Sequence, residues 1–176
     1  SLAPQGHQKI AWVRDHMPLL RGLEEEFAKT KPFAGVKITL SVHLEAKTAY
    51  LCKVLAVGGA QMSITGSNPL STKDEIAAAL ADDGLHVYAY HAATPEEYAR
   101  HIEMSLEHKP NIIIDDGGDL VHLMHTEFTD LIPQVIGGCE ETTTGIHRLR
   151  IMDRAGTLRF PMIMVNDADC KHLFDN

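Results

Sequence analysis

The sequence predicts an α/β fold: a doubly wound, mostly parallel open sheet flanked by helices. Three observations carry that prediction. Short β-rich runs alternate with helical patterns along the chain, as in a parallel sheet wrapped by crossover helices. One run, Asn111-Ile112-Ile113-Ile114, is apolar enough for a strand buried on both faces. The 176 residues, 44% hydrophobic and 23% charged, suit one soluble domain with a sizeable core.

The elements follow in order. Ile10, Val13, Met17, Leu20, Leu23 and Phe27 recur at three and four residues, a helical period that Pro18 interrupts, so two helices or a kink are expected there. Lys31-Pro32 ends that region. The run over 36–44 reads as the first strand, and the helix over 45–57 closes at Gly58-Gly59. A second strand covers 61–65. Thr72 with Glu75 fits a capping box, placing the next helix start at Ser71 or Thr72 and its end near Asp83-Gly84. A third strand covers 85–90. Thr94-Pro95-Glu96-Glu97 combines a cap, a proline at the first helical position and acids in the first turn, a strong helix start. The fourth strand covers 111–114. Helices over 120–132 and 141–152 and a last strand over 161–165 complete the pattern.

Five strands joined by right-handed crossovers make a Rossmann-like or flavodoxin-like sheet the simplest architecture. Ligands of such sheets gather at the carboxyl ends of the strands. His43, Ser67-Asn68, Asp115-Asp116 and Asn166-Asp167 all fall at those ends.

Composition excludes several functions. A net charge of −8 without a run of Lys or Arg argues against a nucleic-acid surface and an anionic membrane surface. No apolar run approaches the roughly 18–20 residues of a membrane span, and no signal-peptide pattern opens the chain. Three widely spaced cysteines, Cys52, Cys139 and Cys170, form neither a disulfide framework nor a zinc pattern, and read as reduced thiols of a cytoplasmic protein. Eleven histidines are many, but His122 and His125, three apart on a helix, lack a helical carboxylate partner; no metal is expected.

Three clusters could carry chemistry. In Asp115-Asp116-Gly117-Gly118-Asp119 the glycines permit a tight turn and close ligand approach, while the acids can act as base, hydroxyl anchor or simple helix cap. In Glu140-Glu141-Thr142-Thr143-Thr144-Gly145 the three β-branched threonines disfavour a helix interior and suit a helix entrance, where free N–H groups face a ligand; one threonine would suffice for a cap. Lys171 and Asp175, at i and i+4, share a helical face as a surface ion pair or as a grip on a sugar hydroxyl.

Taken in order, His43, Ser67-Asn68-Pro69-Leu70-Ser71-Thr72, Asp115 to Leu120, His125-Thr126, Glu140 to Gly145 and Val165-Asn166-Asp167 through Phe174-Asp175-Asn176 resemble the substrate half of the S-adenosylhomocysteine hydrolase (adenosylhomocysteinase) family across nearly the whole chain. The resemblance implies reversible hydrolysis of S-adenosyl-L-homocysteine to adenosine and homocysteine. Bound NAD oxidises the ribose 3′-hydroxyl, a base removes the acidified C4′ proton, homocysteine leaves from C5′, water adds, and the ketone is reduced again. By the same resemblance Lys171 and Asp175 match the pair at the 3′-hydroxyl, with Lys171 the proton acceptor. Glu141 matches the acid on the ribose hydroxyls, Asp116 the carboxylate near C4′ and C5′, and His43 the histidine near C5′. Thr142, Thr143, Thr144 and Asn176 match positions that reach NAD.

Two departures stand out. Glu45 and Lys47 replace the threonine and the acid or amide common in the base-recognition segment. Lys47 is donor-only, which suits a 6-oxo purine better than a 6-amino one, unless it points to solvent and Glu45 does the reading. No G-x-G-x-x-G follows a strand. The chain is therefore expected to be an incomplete substrate-binding domain, 1–176, without the NAD-binding domain and C-terminal segment, and inactive alone. The whole family protein is implied to be a homotetramer. Two other classes compete: a nucleoside-binding module without chemistry, and a receiver- or phosphatase-like site holding Mg2+ on Asp115-Asp116. The latter leaves the threonines and the Lys171–Asp175 pair unexplained.

Overall fold

The computed structural model describes residues 1–173, so Asp175 and Asn176 lie outside the described residues. Among the described residues six strands form: β1 (Lys37–Ser41), β2 (Gln61–Thr65), β3 (His86–Tyr88), β4 (Ile112–Asp115), β5 (Gly137–Glu140) and β6 (Met162–Met164). All pair in parallel, in the order β3-β2-β1-β4-β5-β6. This is the Rossmann-like order rather than the flavodoxin-like one. The chain winds one way from β1 to β3 and the other way from β4 to β6, so the switch point lies between β1 and β4.

Strand alternation splits the core in two. Ile38, Leu40, Met62 and Ile64 join the first core with helices α1 (Ala3–His16), α2 (Pro18–Thr30), α3 (Ala46–Val57) and α4 (Asp74–Asp82). Ile113 joins the second core with α5 (Pro95–Leu106), α6 (Asp119–Thr126) and α7 (Thr143–Arg154). Ile112 and Ile114 pack back into the first. β4 reads as continuous isoleucine because both of its faces are covered. A short helix, α8 (Asp169–His172), follows a 3-10 turn over Val165–Asp167.

Several elements differ from expectation. Pro18 does divide the first helical region, and opens α2 as its first residue after Met17 leaves helical geometry. The capping box at Thr72 does not form: Lys73 precedes α4, Thr72 Oγ1 donates to Asn68 O at 3.3 Å, and Glu75 instead pairs with Lys9. The box at Thr94 does form, with Glu97 N donating to Thr94 Oγ1 at 3.2 Å and Thr94 N to Glu97 Oε2 at 2.8 Å. The helix expected over 120–132 ends at Thr126, and a 3-10 turn containing Pro133 follows. β5 is an additional strand. Its Gly137-Gly138 lowers local β propensity, yet Gly138 is required: a Cβ there would sit 2.6 Å from Met162 Sδ on β6 and 2.7 Å from Ile113 O on β4. Among the described residues no helix is long and apolar enough to cross a membrane.

Candidate functional site

Because every strand is parallel, their carboxyl ends share one edge, and the polar residues of the sequence motifs stand along it. β4 ends at Asp115 and β5 at Glu140, partners in the strand register. The next residues, Asp116 and Glu141, point to the opposite face, the side of Ile114 and Cys139. The two doubled acids are therefore divided by the pleat, one of each pair on either face.

Asp115 and Glu140 are completely buried on the α6–α7 side. Asp115 accepts from Asp116 N and Val121 N, both at 2.9 Å, which anchors α6 to the strand. Burial foremost, and the nearby Glu140 charge, push its carboxyl up to about 8. Asp116, 9% exposed, accepts from Ser67 Oγ at 2.8 Å, and His43 Nε2 stands 3.5 Å from the same oxygen. Ser71 donates its only proton to Asn68 O at 2.9 Å. Its oxygen also lies 2.5 Å from His43 Nδ1, so Ser71 holds the imidazole with Nε2 turned towards Asp116. Tyr98 ties this edge to the far helices by donating towards Ser67 O and Asp119 Oδ2.

Glu141 stands at the rim. Partial desolvation, then the Asp116 charge, raise its carboxyl above the usual range, while His43 and Lys171 pull it down. Asp116, His43 and Lys171 thus all lie within electrostatic reach of Glu141. Lys171 donates to Asn166 Oδ1, and Asn166 Nδ2 donates to Thr143 Oγ1 at 2.8 Å, so the amine is tied to the entrance of α7. Thr142 caps that helix, accepting from Gly145 N at 3.1 Å, and Thr144 is exposed on its first turn. The left-handed φ of Gly117 (+100°) and Gly118 (+82°) lets the Asp116 turn fold back beneath this edge.

Beside these groups lies a mostly apolar hollow of about 480 Å³, floored by Val42, Ile114 and Cys139 and walled by Leu51 and Val165, with Glu45, Lys47 and Glu141 at its polar margin. Lys47 Nζ and Glu45 Oε1 are 3.2 Å apart there. A hollow of that size, apolar inside with few polar groups, has the character of a small-ligand site. Met17 and Leu20, at the break between α1 and α2, also line it. Sequence periodicity marks both only as apolar positions of a helical face. A second hollow of about 370 Å³ is lined by Gly118, Asp119 and His122 at the start of α6 and by Arg148 and Met152 of α7.

Of the expected residues, the structure brings His43, Asp116, Glu141 and Lys171 together beside a hollow that Glu45 also lines, and places Thr142, Thr143 and Thr144 at the adjoining helix entrance. His125 is structural: it accepts from Arg159 N at 3.1 Å through Nε2 and donates to Val121 O at 2.8 Å through Nδ1. Ser67, Ser71 and Cys139 had no assigned role. For Cys139 the signal was spacing, since it lies two before Glu141 as Ile114 lies two before Asp116, on one strand face.

The S-adenosyl-L-homocysteine hydrolase family model matches residues 1–130 and 124–176. The chain belongs to that family. It is 54% identical over all its 176 residues to an S-inosyl-L-homocysteine hydrolase of Methanopyrus kandleri and 53% to one of Methanocaldococcus jannaschii. It is 52% identical to an adenosylhomocysteinase of Pyrococcus abyssi. In each comparison the chain spans 42% of the relative's length, about two fifths.

Proposed function

We propose that this family member is the substrate-binding part of an enzyme that reversibly hydrolyses a purine-nucleoside thioether of homocysteine. The observation that carries it is the convergence of a carboxylate–histidine pair, a rim carboxylate and an amine beside one apolar hollow of nucleoside dimensions. The purine occupies the hollow against Leu51, Ile114 and Cys139, and the ribose lies across the strand ends.

There Glu141 holds the ribose hydroxyls, favoured by its elevated carboxyl. Lys171, steadied by Asn166, accepts the 3′-hydroxyl proton together with Asp175. Asp116, fixed by Ser67, takes the C4′ proton, and His43 Nε2 exchanges a proton with the leaving sulfur or the incoming water. Nδ1 of His43 is committed to Ser71, which leaves Nε2 alone for that exchange.

Thr144 and the first turn of α7 fit the edge of a bound dinucleotide. NAD, when bound, supplies the hydride acceptor at the 3′ carbon. With relatives more than twice as long, we assign the main cofactor contacts and the closing of the cleft to sequence beyond these residues. The family's homotetramer and a cytoplasmic location belong to the same proposal.

A second feature favours a 6-oxo purine. Lys47, a pure donor, stands at the hollow's margin beside Glu45, and two of the relatives above are named for the inosyl substrate. Two experiments test these proposals. The 176-residue chain supplied with NAD is expected to release no homocysteine, and release would overturn the division of labour. Competition between S-inosyl- and S-adenosylhomocysteine on the full-length enzyme is expected to favour the inosyl compound; a clear adenosyl preference ends the 6-oxo assignment.

A further inference from the structure

The turns that present Asp116 and Glu141 belong to different strands, yet one buried atom holds both. Glu140 Oε1 accepts from Gly117 N at 2.8 Å, from Thr142 N at 2.9 Å and from Thr142 Oγ1 at 2.9 Å. The first donor follows Asp116 and the other two follow Glu141. Glu140 Oε2 is buried and has no hydrogen-bond partner among the described residues, and the carboxylate packs so tightly on Gly145 that a Cβ there would land on it. A buried glutamate is unfavourable unless its surroundings use it. Its neighbour Asp115 performs an ordinary helix-anchoring task, whereas Glu140 reaches across strands.

We propose that Glu140 is a positioning residue, a clasp beneath the sheet edge that sets the Asp116 turn against the Glu141 turn. It touches no substrate and acts through the two backbone segments it joins. The role as a positioning residue rests on the nucleoside site proposed above; the clasp itself does not. Gly145 is part of the device because only a glycine leaves room for the carboxylate.

Amide hydrogen exchange and inosine affinity of the 176-residue chain test the proposal. Glu140→Gln keeps the shape but replaces charge-assisted bonds by neutral ones. Exchange at Gly117 and Thr142 is expected to quicken together by about tenfold, while Val121, bonded to Asp115, keeps its protection. Inosine affinity is expected to fall by a similar factor with the thermal midpoint little changed. Gly145→Ala, which displaces the carboxylate without altering its chemistry, is expected to reproduce both effects; Glu140→Asp, too short to reach both turns, is expected not to restore them. Unchanged exchange at Gly117 and Thr142 in both variants overturns the clasp. Faster exchange with unchanged inosine affinity overturns the positioning role. If the unmodified chain binds no inosine, the nucleoside site fails and the positioning role with it, while the exchange data decide the clasp alone.

Discussion

The buried Asp115 makes the stability of this chain depend on pH in an asymmetric way, and Asp115→Asn removes the cause. Its folded carboxyl titrates near 8, well above the 3.8 of an unperturbed aspartate, because burial penalises the charged form. A carboxyl raised on folding binds its proton more tightly in the native state. Its contribution is therefore fully present below the unfolded value and is lost as pH rises through the folded one. His108 acts oppositely. Burial, with the Lys37 and His86 charges, lowers it to about 4 from 6.5, so stability is gained between those values. The two offset each other up to about pH 6.5, and Asp115 then acts uncompensated to about 8. That window of about 1.5 units, at about 1.4 kcal/mol per unit, amounts to about 2 kcal/mol. For a domain of this size it corresponds to a fall of about 4–8 °C in thermal midpoint. Asp115→Asn sets an amide donor against the Asp116 or Val121 N–H and loses about 1–3 kcal/mol outright, but its stability is expected to be nearly level over the same window. Urea unfolding of both proteins from pH 6.5 to 8 measures this. A variant that declines as steeply as the parent refutes the assignment to Asp115.

Three further outcomes follow from packing and exposure. Gly138→Ala drives a Cβ into Ile113 O and Met162 Sδ and is expected to cost about 1–3 kcal/mol in denaturant unfolding, with β6 losing exchange protection first. Thr94→Ala removes one half of the capping box of α5 and is expected to cost about 1 kcal/mol in the same experiment. With a thiol reagent and mass spectrometry, exposed Cys170 is expected to react first and Cys139 more slowly, with inosine protecting it. Cys52, fully buried with its thiol pushed up to about 12, is expected to react only on unfolding.

Most of the fold was readable because its signals are local. The isoleucines of β4, the Pro18 break and the Thr94 start each state their conformation within a few residues. β5 escaped because its requirement is tertiary: Gly138 is there to admit Met162 and the Ile113 carbonyl, and nothing in Gly-Gly-Cys-Glu announces a strand. Thr72 failed for a related reason, since Asn68 claims its hydroxyl and Lys9 claims Glu75. The site followed the same division. Acids and threonines at strand ends marked the polar edge. The hollow did not show in the sequence, because Leu20, Leu51, Cys139 and Val165 are ordinary apolar residues until the pleat and the α1–α2 break bring them together. The division of labour within each doubled acid, one buried and one presented, needs only strand alternation, yet it becomes visible only once β5 is recognised as a strand.

The most direct test of the account is to map inosine onto the isotopically labelled 176-residue chain by amide chemical shifts. Saturable shifts centred on Leu51, Ile114, Cys139, Glu141 and Val165 are predicted. Shifts centred instead on Gly118, His122, Arg148 and Met152, or none that saturate, would contradict it.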